Sequence, residues 1–585
     1  MPAPTHTSQF YIKINGADVP EQIQSRIVNL QVDSALGMPS MCILDVMDDE
    51  LASVDDSTMF KFGNSIEVGS GENIDPESGA PAPSSALFSG EITAIEPVYL
   101  ADGKTRLIIR GYDKSHRLHR NRRTKTYANS TDSDIIKAIL GANGISPQLA
   151  ATTTVHDHVY QHNETDFEMV AKLARRNGFT WFAHGSQVTL DKPSALAAGR
   201  SALTLAYGST LREFRPRLSG IGQRQKIEVR GWDVQSKHSI VGRATSSGFS
   251  FPPSSGNGVS STKAAFGDGN VVVHETPIKD QGEADRLASA LLDEADGGYV
   301  QGEGVALGNP KLLAGTPLTL EGLGNRFSGK YFVAGATHTF GEEGYETRFR
   351  VTGLGSANIS ALLGAGAGTA ERVSMHQEFT GLVVGIVTNI DDDQKWGRIK
   401  LKFPTISEAD ESWWARVAQP LAGPERGFYL MPQVNDEVLV GFEHGDFNRP
   451  YVVGSLWNGT DKLPSEAAAA PDGKRHMVHI LKTGTEARFV IDDIEEFLEL
   501  TSKGKHYIKI DNKNKKIELK TAGGHVVEID EQGQKITMKT GNQTVEMATG
   551  GITLTGSTVK INSTGTVDIQ GSGAVTIKGS TIALN

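Results

Sequence analysis

A mainly β, multidomain chain is what this sequence predicts: two strand-rich blocks, the first a barrel or sandwich, flanking a small α/β insertion, then an OB-type barrel, then a C-terminal triple-stranded β-helix formed by three chains. Three observations carry that expectation. The 585 residues are too many for one core and suit about four domains. Glycine is enriched, at 65 residues, while apolar residues reach only 38%, which suits short strands and tight turns better than thick helical layers. From residue 482 onward, apolar pairs recur at a regular interval.

The first strand-rich block spans residues 1–115. Val28, Leu30 and Val32 alternate with Asn29, Gln31 and Asp33, and Phe88, Gly90 and Ile92 repeat the period of two. A Pro/Gly/Ser-rich break at 73–85 reads as a loop. Residues 116–200 hold the α/β insertion, with a short helix over 131–141. Thr165 and Glu168 form a capping box there, ahead of Phe167, Val170, Ala171 and Ala174, and Gly178 takes the C-terminal stop. Strands resume over 201–353, interrupted by a helix starting near Asp280, with Glu283 at the box position and Ala284, Leu287, Ala288 and Leu291 on one face. The Gly/Ala/Ser-rich stretch 354–375 reads as a linker. Five short alternating strands within 376–460 predict the OB-type barrel, and 461–481 connects it to the C-terminal repeat.

In that repeat the pairs are Phe489/Ile491, Leu498/Leu500, Ile508/Ile510, Ile517/Leu519, Val527/Ile529, Ile536/Met538, Val545/Met547, Ile552/Leu554, Val559/Ile561, Val567/Ile569, Val575/Ile577 and Ile582/Leu584. Their first members step by 9, 10, 9, 10, 9, 9, 7, 7, 8, 8 and 7 residues. Eight extended residues span at most ~27 Å. A one-chain coil of that perimeter would have walls about 9 Å wide, with no room for a filled interior when stacked sheets need about 10 Å. Three chains can close it, each giving one wall whose inner face carries the apolar pairs and whose outer face carries Thr, Lys, Ser and Glu. Val559, Ile561, Val567, Ile569, Val575 and Ile577 are the expected core of such a needle. Its last rung, Thr581, Ile582, Ala583, Leu584 and Asn585, is apolar where a terminal repeat needs a cap, so a separate tip protein is expected to seat there.

Net charge is −11, from 58 Lys and Arg against 69 Asp and Glu, which argues against a surface built throughout to neutralise phosphates. The lone Cys42 excludes an intramolecular disulfide and reads as core. The N-terminus lacks a basic-then-apolar leader and no run approaches ~20 apolar residues, so assembly in the cytoplasm without a signal peptide is expected. His156, His158 and His162 could converge on zinc, yet no carboxylate is well placed beside them, so no metal is assigned. Arg106 to Lys125 carries Arg110, Lys114, Arg117, Arg120, Arg122 and Arg123 but few aromatics, which favours a protein contact over nucleic acid. Trp413 and Trp414 could offer a stacking platform, though strand alternation would send one of them inward. Asp391 to Gly397 lacks the ligand spacing of a calcium loop and reads as a hairpin turn. No G-x-S-x-G, H-E-x-x-H or P-loop occurs, so no catalytic residue and no cofactor is assigned.

Five stretches of the predicted barrel, Trp396 to Pro404, Trp413 to Val417, Gly427 to Pro432, Asp436 to Phe442 and Gly445 to Asn458, carry a family resemblance. In them the chain resembles the VgrG and phage-type hub–spike proteins of contractile injection systems. Upstream, Tyr160 to Phe167 and Gly308 to Gly315, followed by His338, are also similar. The resemblance implies a homotrimer whose two hub barrels per chain give pseudo-sixfold symmetry under a hexameric tube protein. It also implies baseplate proteins around the hub, a PAAR-like tip, possible cargo effectors, and a target membrane touched only transiently. The expected role is a non-enzymatic central spike, made in the cytoplasm and then part of a phage tail-like particle, with no nucleic acid partner. About 20 residues separate Asn458 from Met477, too few for the lysozyme domain of some phage relatives. The alternative is a cell-wall hydrolase or nucleic-acid-binding OB protein.

Overall fold

The structure, a computed structural model, describes residues 10–48, 51, 58–70, 73–74, 81–82, 85–233, 236–248, 258–274, 278–341, 344–351, 381–405 and 410–583. The 354–375 stretch read as a linker lies outside these residues, as do parts of the 73–85 loop. The chain forms two compact units, residues 1–456 and 457–585.

In the first unit, among the described residues, the two strand-rich blocks do not close as separate barrels. Their strands join in one 13-stranded sheet, because Ile27–Ala35 of the first block pairs antiparallel with Gly329–Gly341 of the second, Val32 opposite His338. Ladder bonds across that seam satisfy backbone groups that would otherwise form two open edges. Each block keeps a core of its own. Leu30, Val32, Cys42, Leu44, Phe88 and Ile109 fill the first, and Leu205, Leu211, Leu320, Val333 and Phe349 the second. Cys42 is fully buried, and burial pushes its thiol far above the usual range.

The insertion behaves as its caps dictate. Thr165 accepts from the Glu168 N–H at 3.1 Å while Glu168 accepts from the Thr165 N–H at 2.7 Å, and the helix Asp166–Arg176 follows. Thr131 and Asp134 do the same for Asp132–Ala142. Asp280 accepts from the Glu283 N–H at 2.7 Å and starts Gln281–Gly297, whose Ala284, Leu287 and Ala288 pack on the sheet of Lys226–Asp233 and His238–Ala244.

The small barrel closes with five strands, Val383–Asn389, Arg398–Lys402, Ala415–Val417, Glu437–Phe442 and Pro450–Ser455. Val387, Ile399, Leu401, Ala415, Val438, Val440 and Val452 alternate inward along them and are buried. The expectation that Trp413 or Trp414 points into this core is corrected. The strand begins only at Ala415, so alternation does not reach the two tryptophans; both are half-buried, while Ser412 and Ala415 take the inward positions. Asp391 to Gly397 is a turn: Asp392 accepts from the Gln394 and Trp396 N–H groups and binds the Arg398 guanidinium at 2.7 Å, and Lys395 has φ +56°.

The second unit carries nine consecutive antiparallel strands from Val478–Lys482 to Gly551–Thr555, each paired with the next. This section is a meander within one chain rather than a set of winding rungs, because its turns reverse the chain every time. Four-residue turns follow Asp492, Asp511 and Asp530, whose carboxylates accept from the backbone N–H two or three residues on. Each of those turns closes on a left-handed residue: Glu496, Lys515 and Gln534. Five-residue turns close the opposite edge, which gives the alternating 9 and 10 read from the sequence. Two-residue turns then take over, between Thr540 and Gln543 and between Ala548 and Gly551. Beyond Thr555, residues 556–583 form no strand with any described part of this chain, and all of them are exposed.

Candidate functional site

Exposure on the meander runs opposite to hydropathy. On the strand Tyr507–Asp511, Ile508 and Ile510 are 43% and 40% exposed, while Tyr507, Lys509 and Asp511 are half-buried. The same inversion holds on Lys516–Lys520 and Val526–Asp530. The polar side chains cover one another: Tyr507 donates to Glu518 at 2.5 Å, Lys516 lies 3.4 Å from Glu528 and 3.3 Å from Asp530, and Arg488 lies 2.9 Å from Glu499. Glu518 raises the Tyr507 hydroxyl well above its ordinary value, behind burial as the leading cause.

The opposite face presents directly opposed apolar pairs, Ile508 with Leu519, Ile510 with Ile517, Ile517 with Ile529 and Leu519 with Val527. It continues through Val545, Met547, Ile552 and Leu554, all exposed. An apolar band of that length is far beyond what an unpartnered soluble surface carries. Val559, Ile561, Val567, Ile569, Val575 and Ile577, which the sequence reading expects in a needle core, follow it and are 47–67% exposed. Thr581, Ile582 and Ala583 are exposed too, and Leu584 and Asn585 lie outside the described residues.

The other candidate residues lie in the first unit and are engaged within it. His156 lies 3.3 Å from Asp132, which also binds the Arg176 guanidinium; Arg176 in turn is 3.9 Å from Glu283. Burial alone would raise the Asp132 carboxyl, but the hydrogen bond from His156 and the charge of Arg176 hold it well below the usual range. His158 reaches the Glu411 carbonyl at 3.2 Å and stacks on Trp413, and His162 stacks on Phe447 at 3.8 Å between ring centroids. His158 and His162 thus knit the insertion to the barrel, along with Tyr160, whose N–H donates to the Asn448 side chain at 2.7 Å, while His156 stays within the insertion on Asp132 and Arg176. The Tyr160–Asn448 contact and the Asp132–Arg176 pair join residues far apart in sequence, and no local pattern announced either.

Five arginines of the basic segment are likewise committed, whereas Arg120 is exposed and Lys125 lies over the Tyr127 ring. Arg106 binds Asp45 at 2.9 Å, Arg110 binds Glu96 at 2.9 Å, Arg117 binds Glu91 at 2.5 Å, Arg122 binds Glu168 at 3.1 Å and Arg123 binds Asp166 at 3.3 Å.

With this geometry in place, the comparisons decide the family. A family model described as the Alg8 N-terminal domain matches residues 4–342, more than half of the chain. The chain belongs to the Alg8 N-terminal domain family. A second model, the type VI secretion system/phage-baseplate injector OB domain, matches residues 383–457, the closed barrel. Among curated relatives, the type VI secretion system spike protein VgrG1b of Pseudomonas aeruginosa is 26% identical over 391 residues, 62% of this chain and 51% of the relative. VgrG3 of Vibrio cholerae, also a type VI secretion system spike protein, is 37% identical over 94 residues, 15% of this chain and 9% of the relative. This member of the family spans about half the length of the first curated relatives it matches. Its fold is similar to a solved Francisella PdpA–VgrG complex in the lidded state, with TM-score 0.51, 9% identity and coverage of 88% of this chain and 80% of that one. The resemblance to VgrG-type spike proteins read from the sequence is thereby shown.

Proposed function

We propose that this chain is the structural central spike and baseplate hub of a contractile injection system, acting as a homotrimer and without enzymatic activity. The observation that carries the reading is the inverted burial of the second unit. Apolar residues face solvent on one side of the nine-stranded meander while charged residues shield one another on the other. Two further copies turning the same face inward supply the cover, and the closed three-walled needle leaves no apolar band and no open edge. In residues 556–583 every rung then pairs between chains as a triple-stranded β-helix, with Val559 through Ile577 at its centre.

In this reading the 13-stranded sheet of the first unit is the platform under a hexameric tube and against baseplate proteins, and the barrel is the neck. A PAAR-like tip protein seats on Thr581 to Asn585, and cargo effectors ride with the particle. The trimer assembles in the cytoplasm and leaves it as part of a phage tail-like particle that meets the target membrane only on firing. VgrG-named relatives described as spike proteins support this role. The nucleic-acid reading gains no such support, since the arginines of the basic segment named above are held by carboxylates. Native mass of the purified chain tests the proposal: three copies are expected, and a stable, folded monomer overturns it.

A further inference from the structure

We infer that a groove on the outer face of the barrel binds an uncharged saccharide. The groove encloses about 250 Å³ beside the strands Arg398–Lys402 and Ala415–Val417, where the insertion and the helix Gln281–Gly297 meet the barrel. These are the second and third strands of the barrel, the face on which OB barrels in general take oligonucleotides or oligosaccharides. Three of the chain's six tryptophans, Trp396, Trp413 and Trp414, line it. Trp396 is 44% exposed. The Arg398 guanidinium sits 4.7 Å from the Trp396 ring and 5.8 Å from the Trp414 ring, and Asp392 fixes it from the side. The flat faces are therefore held in place before any ligand arrives.

Charge decides between the two ligand classes. Of the five lysines and arginines that line the groove, four are paired with carboxylates: Lys279 with Asp157 at 2.8 Å, Arg398 with Asp392 at 2.7 Å, Arg449 with Glu443 at 3.4 Å, and Arg176 with Asp132. Arg416 alone reaches a neutral partner, the Tyr451 hydroxyl at 3.3 Å. A phosphate backbone needs cations without counter-charges along its path, and this lining offers one. A neutral polyhydroxyl chain needs apolar platforms edged by donors and acceptors in fixed positions, which the tryptophans and the ion pairs supply together. The volume suits about one to two sugar rings.

The inference stands apart from the spike reading, because the groove lies wholly in the first unit and native mass does not report on it. Triacetylchitotriose and maltotriose, each titrated into the full-length protein, should give a saturable change in tryptophan emission and a matching heat for at least one of the two. Trp396→Ala and Arg416→Ala, both at exposed side chains, should each weaken that binding at least ~10-fold. Their native mass should equal that of the parent. No saturable signal from either sugar up to about 50 mM overturns the inference. So does binding left unchanged by both substitutions. Single-stranded oligothymidine is the competing arm, and if it binds in the groove with affinity that falls as salt rises, nucleic acid replaces the saccharide.

Discussion

The Nδ1 atom of His338 lies 2.8 Å from the hydroxyl of Tyr345, with both side chains buried at the seam where the two strand blocks share a sheet. Nε2 faces the Leu312 carbonyl at 3.1 Å, so the neutral ring donates from Nε2 and accepts the tyrosine proton at Nδ1. Burial pushes the imidazole down from its ordinary value near 6.5 to about 4.

Unfolding releases that restraint, so the unfolded chain takes up the proton first as the solution acidifies. The contribution of His338 is fully present above about pH 6.5, is lost as pH falls, and levels off below about pH 4. The whole step is worth about 3 kcal/mol. Denaturant melts at pH 7 and pH 4.5 should show the parent losing more stability than His338→Gln. Equal losses would remove His338 as the cause.

Asp132 and Arg176 form a buried pair between two capped helices, with His156 on the same carboxylate. Asp132→Asn leaves the guanidinium beside His156 Nε2 at 2.9 Å and the Glu283 carboxylate at 3.9 Å, with no close carboxylate in the place of Asp132. The expected cost is about 3–5 kcal/mol, the usual penalty for breaking one side of a buried pair. A shift in urea midpoint of the insertion's transition measures it, and a change under about 1 kcal/mol contradicts this account.

On the meander, Ile510→Asp should convert trimer to monomer or aggregate, since it sets three carboxylates against one another inside the needle. Glu528→Gln, on the self-paired polar face, should leave the mass of the assembly unchanged. Light scattering separates the two outcomes, and a trimeric Ile510→Asp protein would place that isoleucine outside the interface.

Deleting Ile582 to Asn585 should abolish co-purification of a tip protein while the trimer persists. Val567→Asp should expose residues 556–583 to protease without releasing the nine-stranded section, whose pairing is internal to each chain. Loss of the meander in the same digestion would mean that the two sections fold as one.

Local chemistry was legible from the residues alone. Thr165 with Glu168 and Asp280 with Glu283 start their helices as read, because each side chain satisfies backbone groups within a few residues of itself; the turns set by Asp492, Asp511 and Asp530 are as local but emerged only in the structure. The apolar pairs of the ladder were equally plain, since a strand's period of two needs no knowledge of its neighbours. The tertiary structure decided the rest. It merged the two strand blocks through Val32 and His338, kept Trp413 and Trp414 out of the barrel core, committed the arginines to distant carboxylates, and split the ladder at Thr555. Each of those outcomes depends on which groups meet across long loops, and composition and spacing carry no term for that meeting.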